Sequence, residues 1–279
     1  MSFASEYLSQ LTNFADLGPL PRVRTLHLPP TQSMQDSKGE FCAVELEDGS
    51  IGLSYVLLDD TLAELHGRST GLGLANADSL EVAHRYVSDT GIWKTIGFAT
   101  ANALSRCLYN RAGFRPADSS DSIGQMNPQS GESIGMIGLF KPLLGRVLQS
   151  GAKLTVVELK THLVGERDGY RVTADAEELA ACSKVISTST LLLNDTLDRM
   201  LAHCSNARWI ALIGPSAGCL PDSLFARGVT FIGGNWVHDH DGFIAALRNG
   251  EPTSAFASKY ALTPDSYPGL SLLLQRAGK

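Results

Sequence analysis

His238 and His240 stand two residues apart in Val237-His238-Asp239-His240-Asp241, and Cys219 leaves the apolar strand before them. In an extended segment, side chains at i and i+2 share a face. Two imidazoles and a thiolate meeting there form a donor set suited to a transition metal ion such as zinc, nickel, cobalt or copper. The same residues have a plainer reading. Asp239 or Asp241 can cap the following helix and leave both histidines in solvent, with Cys219 as a small buried residue.

Two further constellations invite chemistry. Gly214-Pro215-Ser216-Ala217-Gly218 spells G-x-S-x-G after a strand. A nucleophile elbow needs its serine on a turn that enters a helix directly, with an acid and a histidine from later strands. Here the helix begins only at Pro221 and one clear strand remains. The run therefore reads as a turn of small residues whose N–H groups line a ligand or anion pocket. Gly135-Met136-Ile137-Gly138 closes one strand, and Glu158, 20 residues after Gly138, closes the next. An acid at that place can bond a ribose hydroxyl. However, Phe140, Lys141 and Pro142 replace the expected glycines, and Pro142 lacks an N–H for phosphate. NAD(P) or S-adenosylmethionine, bound along Gly138 and Glu158, is thus the alternative to a metal ion.

The elements that must position these groups fall into two rhythms. In the first half, Phe3, Tyr7, Leu8, Leu11 and Phe14 follow the helical period. Strands are expected at Val23–Leu28, Phe41–Leu46 and Ile51–Leu57, with a hairpin turn at Glu47–Ser50. Two helices follow, one capped by Asp78 or Ser79 and one placing Trp93, Ile96, Thr100, Ala103, Leu104 and Cys107 on a face. Gly97, Ala99, Ala101 and Ala103 admit close helix packing, and Asn102 can present an amide to a cleft. Residues 115–132 hold no apolar period and read as a linker. The second half alternates strands at Ile134–Leu139, Leu154–Glu158, Lys184–Thr188, Trp209–Gly214 and Val229–Gly233 with helices at Pro142–Gln149, Asp175–Cys182, Ser189–Cys204, Pro221–Ala226 and Asp241–Arg248. Asp175 with Glu178 suggests a capping box, and Leu193, Leu197, Met200, Leu201 and Cys204 a core stripe. The fold class is α/β: a doubly wound, largely parallel sheet preceded by an α+β domain. With strand order 3-2-1-4-5, the ligand crevice lies between the first and fourth strands, facing Leu139–Lys141 and Gly214–Cys219.

Composition bounds the rest. The 279 residues carry 23 Lys+Arg and 29 Asp+Glu, a net charge of −6, without a basic cluster, so neither nucleic acid nor an anionic membrane is the expected partner. No apolar run approaches a membrane span, Met1–Glu6 lack a basic leader, and the five cysteines form no C-x-x-C pair. A cytoplasmic protein with a small-molecule or metal ligand is the expectation. Self-association is allowed, with no feature fixing the number of subunits.

The stretches STSTLLLNDTLDRML and ARWIALIGPSAGCLPDSLFARGVTFIGGNWVHD resemble the family described as "Putative heavy-metal chelation", domain of unknown function 364. Ser189, Thr190, Asn194, Thr196, Gly214, Pro215, Ser216, Gly228, Val229, Gly233 and Gly234 match its motif. TIGFATANALSRCL, with Asn102, is similar to a helix of its partner domain, which resembles the N-terminal domain of enolases. The resemblance implies an enolase N-terminal-like domain over 1–125, a Rossmann-like domain over 126–279 and a combined site between them. Asn102, Ser189, Thr190, Asn194, Gly214, Pro215 and Ser216 become pocket-lining candidates on that basis. His238 and His240 match no part of the motif, so a metal site on them rests on this chain alone. Whether the protein is an enzyme stays open at this point.

Overall fold

The computed structural model describes residues 1–33, 40–68, 71–119 and 125–279. Helix α1 (Phe3–Ala15) begins at Ser2, whose hydroxyl accepts from the Ser5 N–H, and buries the apolar stripe Phe3, Tyr7, Leu8, Leu11 and Phe14. Strands β1 (Val23–His27), β2 (Phe41–Leu46) and β3 (Ile51–Tyr55) form an antiparallel sheet in that order. The β2–β3 turn is fixed by Gly49 at φ 81° and by Asp48, which accepts from the Ser50 N–H at 2.9 Å. Helix α2 (Thr61–Arg68) has no counterpart in the sequence reading. In α3 (Ser79–Ser88), Asp78 caps the Leu80 and Glu81 amides.

Helix α4 (Gly91–Arg111) organises this half, with fifteen of its 21 residues buried. Its small residues do what their spacing suggested. A Cβ on Gly97 would sit 2.4 Å from the Tyr86 backbone nitrogen on α3. A Cβ on Gly52 of β3 would lie 2.1 Å from both Ala99 O and Ala103 N. Backbone meets backbone at both places, so only glycine fits.

The second sheet has nine strands among the described residues. They are β4 (Ala117–Asp118), β5 (Ser133–Ile137), β6 (Lys153–Val157), β7 (Gly165–Arg167), β8 (Tyr170–Thr173), β9 (Lys184–Thr188), β10 (Trp209–Ile213), β11 (Phe231–Val237) and β12 (Ala257–Leu262), in spatial order β4-β12-β11-β10-β9-β5-β6-β8-β7. The run from β11 through β8 is parallel, and β12, β4 and β7 are antiparallel additions at its two ends. The expected order 3-2-1-4-5 is therefore corrected to 2-1-3-4-5 for the five anticipated strands. The hairpin β7–β8 lies along β6 and fills the edge that the other order requires, so β9 pairs on the far side of β5. The strand-order reversal falls between β5 and β9.

The intervening helices are α5 (Lys141–Gln149), α6 (Leu197–Ala202), α7 (Asp222–Phe225), α8 (His240–Asn249) and α9 (Leu270–Ala277). The single helix expected over Ser189–Cys204 is broken: a 3₁₀ turn spans Ser189–Leu192, and Asp195 takes φ 58° before α6 begins. Of the expected stripe, Leu193, Leu197, Met200 and Cys204 are buried all the same, and Leu201 is half-buried. The capping box fails in half: Asp175 accepts from the Glu177 N–H of a 3₁₀ helix (Ala176–Ala181), but Glu178 pairs with Arg171. Of the expected linker, 117–118 form β4, and 120–124 lie outside the described residues. Strand β11 continues through Gly233-Gly234 to Val237, past the expected end at Gly233. A Cβ on Gly234 would lie 2.5 Å from the Tyr260 hydroxyl, so the pair marks a close approach between neighbouring strands.

The two halves share one core. A continuous apolar cluster runs from Phe3 and Leu11 through Ile96 and Leu104 to Leu212, Leu224 and Leu273. Helix α8 covers the opposite face of the small sheet, with Phe243, Ile244 and Leu247 against Ala43, Ile51 and Leu53. Helix α9 returns to α1 and α4, placing Leu273 fully inside.

Candidate functional site

The carboxyl ends of the parallel strands carry a row of loops, and most of the anticipated residues sit on them. Gly138, at the end of β5, has φ 81°, and its Cβ position lies 2.9 Å from the Thr188 methyl. The space above it is thus taken by a threonine. Glu158, after β6, accepts the Leu139 N–H on one carboxylate oxygen and the Lys160 N–H on the other, both at 3.1 Å. The acid clamps two loops together. After β9, the Thr188 hydroxyl bonds that of Thr190, and Asn194 Oδ1 accepts from the Thr196 N–H and hydroxyl. These are local turn contacts of the kind asparagine and threonine make with nearby backbone.

Asn102, Ser189, Gly214 and Ser216 come together as one cluster. Buried in α4, Asn102 donates from Nδ2 to Leu53 O at 2.9 Å and Ser216 O at 3.1 Å, while Oδ1 accepts from the Tyr7 hydroxyl at 3.0 Å. The Ser216 and Ser189 hydroxyls bond each other at 2.9 Å, and both are buried. Gly214, at φ 143°, lies over Ser189 with its Cβ position 2.4 Å from that hydroxyl. The Tyr260 hydroxyl donates to Ala217 O at 2.8 Å. The Gly214–Gly218 loop is therefore fastened to α4, to the turn after β9 and to β12, and Asn102 in turn is tied to Tyr7 of α1. The loop's serine is enclosed and bonded to another serine rather than to a histidine, an arrangement unlike a nucleophile elbow.

The proposed metal ligands do not meet. Cys219 is fully buried among tyrosines, and burial pushes its thiol up to about 12, the wrong direction for a thiolate. His238 is exposed beyond β11. His240 opens α8, with Nδ1 2.8 Å from Asp241 and Nε2 3.2 Å from Glu45 Oε1. Asp239 caps α8 by accepting the Gly242 N–H, as the plainer reading had it. No group of three or more His, Cys, Asp or Glu residues among the described residues could hold a metal ion. The donor set present does not fit a directly coordinated ion.

What the loops leave open is a cleft of about 250 Å³ beside Gly214, lined by Ser119, Phe140, Leu143, Pro215, Gly233, Gly234, Asn235 and Lys259. A smaller chamber of about 20 Å³ adjoins it and shares Pro215, Asn235 and Tyr260 as a wall. Asn102, Arg106, Tyr109 and Trp236 line that chamber. Gly214 and Pro215 are thus placed in the cleft wall and Asn102 in the chamber wall. Gly138, Glu158, Thr190 and Asn194 stand on neighbouring loops.

Arg106, Asn235, Lys259 and Tyr260 were absent from the sequence reading. Arg106 had a detectable signal: a helix apolar on nearly every face can hold a cation only if a pocket or partner receives it.

Comparison with known proteins assigns the lineage. The profile described as "Putative heavy-metal chelation" (domain of unknown function 364) matches residues 121–264, more than half of the chain. The chain belongs to this family. A second profile with the same description (domain of unknown function 4213) matches residues 39–105. An uncharacterized protein of Methanocaldococcus jannaschii is 26% identical over 219 residues, 76% of this chain and 81% of that protein. Two solved structures of family members with unknown function share the fold. The Desulfitobacterium hafniense protein has a TM-score of 0.67 at 17% identity, covering 94% of this chain and all of its own. The Pyrococcus horikoshii protein has a TM-score of 0.66 at 20% identity, covering 92% and 99%. The mixed α/β architecture with a large, mostly parallel sheet is thus the architecture of the family. No helix among the described residues is long and apolar enough to cross a membrane.

Proposed function

We propose that this member of the heavy-metal chelation family binds a small metal-associated ligand, with the small molecule supplying the metal's donors. The cleft beside Gly214 carries the reading. It is open, walled by a loop fastened from three sides, and unaccompanied by a protein donor set of three or more residues among those described. Gly214, Gly233 and Gly234 form part of its wall, and close protein neighbours hold each of them in place. In this reading the protein is cytoplasmic, with a unit taken as residues 1–125 and a Rossmann-like unit taken as 126–279; the cleft is lined by the second unit and Ser119, and the small chamber beside it by both.

Elemental analysis of protein purified without an affinity tag tests this, with the small-molecule fraction released by heat analysed for the same metal. The expected result is metal that leaves with an organic fraction and is not restored by adding zinc, nickel, cobalt or copper salts alone. Stoichiometric uptake of a free ion, lost in a folded Cys219→Ala/His238→Ala/His240→Ala variant, would overturn it.

A second reading rests on the strand-order reversal between β5 and β9, which Gly138 borders, and takes Glu158, after β6, as the acid for a ribose hydroxyl. Under it, the protein is an enzyme using NAD(P) or S-adenosylmethionine. A melting shift with either compound, abolished in Glu158→Ala, is the result that favours it. At about 100 Kd of ligand the stabilisation is about 2.7 kcal/mol.

A further inference from the structure

We propose that the cleft selects its ligand by an anionic group, a carboxylate or phosphate, received by Arg106 and Lys259. This rests on the cleft being the binding site. The protein has 29 acidic against 23 basic side chains, yet the two adjoining cavities are lined by two cations and by no carboxylate among the described residues.

Arg106 is held as a receptor would hold it. Its guanidinium stacks on the Trp236 indole, 3.3 Å from the ring centre. One edge is fixed by donation from Nε to Asn110 Oδ1 at 3.1 Å and from Nη2 to Val237 O at 3.0 Å. No carboxylate among the described residues is within ion-pair distance of it, and nothing described accepts from Nη1. Asp48, which acts on it through space, is bonded instead to Ser50. Burial lowers the guanidinium only to about 10, so it is cationic at neutral pH. Stacked and fixed on one edge, it offers a planar donor set to an oxyanion at little ordering cost.

Size points the same way. The chamber at Arg106, about 20 Å³, takes one oxygen-sized group, since a water needs about 10–15 Å³. The main cleft, about 250 Å³, takes the body of a small metabolite, below the ~300–1,000 Å³ of drug-sized sites. Lys259, on the exposed side of β12, adds a second cation at the cleft. The fit is to a compact polyanion, such as a polycarboxylate chelator with or without its metal.

Calorimetry on the full chain at low salt supplies the test. The probes are citrate, nitrilotriacetate and pyrophosphate, each alone and with nickel, against the neutral chelator 1,10-phenanthroline with nickel. At least one anion should bind about tenfold or more tightly than the neutral complex. Lys259→Glu and Arg106→Gln should each weaken it by about tenfold, and Arg106→Lys by less. Citrate against pyrophosphate separates a carboxylate ligand from a phosphate one. Because Arg106→Gln also removes the Trp236 stack, Lys259→Glu, on an exposed position, carries the reading if the former fails to fold. Anion affinity unchanged in Lys259→Glu overturns the proposal. If the neutral complex binds in the cleft and no anion does, charge selection falls and the cleft reading stands. If no probe binds, both fall.

Discussion

Asn102→Asp is nearly isosteric, yet it turns the Nδ2 donor into an acceptor facing two carbonyls, Leu53 O and Ser216 O. In the native chain this amide is buried and fastens α4 to β3, to the Gly214–Gly218 loop and, through Tyr7, to α1. Leaving a buried carbonyl unpaired costs about 1–3 kcal/mol, so two cost about 2–6 kcal/mol, a large share of a typical stability of about 5–15 kcal/mol. Burial and the facing carbonyls also raise the folded pKa of the new carboxyl above its unfolded value of about 3.9. A group raised in the folded state stabilises fully below its unfolded pKa and loses that contribution as pH rises through the folded value. The deficit of Asn102→Asp should therefore grow from about pH 4 toward pH 8. Urea unfolding followed by circular dichroism measures it. Asn194→Asp is the control, because Asn194 Oδ1 only accepts, from Thr196, and a carboxylate keeps both bonds; its cost should stay below about 1 kcal/mol. A deficit under about 1 kcal/mol for Asn102→Asp, or one equal at both pH values, would refute the reasoning.

Gly52→Ala should cost about 3 kcal/mol or prevent folding, because the methyl would meet Ala99 O and Ala103 N at 2.1 Å; an unchanged melting temperature contradicts the β3–α4 packing. Arg227 hydrogen-bonds Glu6 and holds its carboxyl below the usual range, so its stabilisation is present above the unfolded pKa and lost as pH falls through the folded one. Midpoints of urea unfolding should drop below about pH 4.5 in the native protein and less steeply in Glu6→Gln. All five cysteines are buried, and burial raises their thiols to between about 11 and about 12. Iodoacetamide at pH 8 should label none in the native protein and all after denaturation, as mass spectrometry would read; native labelling of Cys219 would reopen its role as a ligand.

What the sequence made legible was what local patterns control. The apolar runs at 134–137, 154–157, 184–188 and 209–213 are strands, and the small residues of 97–103 sit at close contacts. Asp78 and Asp239 cap helices as their positions suggested. Strand order was not legible, because it depends on the β7–β8 hairpin occupying the β6 edge, a contact between distant segments. The end of β11 was placed too early for a similar reason: Gly234 belongs to the strand because Tyr260, distant in sequence, packs over it from β12. At the site, Asn102, Ser189, Gly214 and Ser216 were found as residues and misjudged in part as to role, since their polar atoms face one another. Lys259 and Asn235 escaped because β12 lacks a strong pattern and no local signal says which strand borders a cleft.

Helix α9 has a consequence for how the chain folds. It follows α1 by more than two hundred residues, yet lies against it, with Leu273 sealed inside. Contacts of such sequence separation form late, because the loop between them must close first. The part of α1 that α9 covers therefore stays open until these distant segments meet, and the partly folded chain is the form most prone to aggregate.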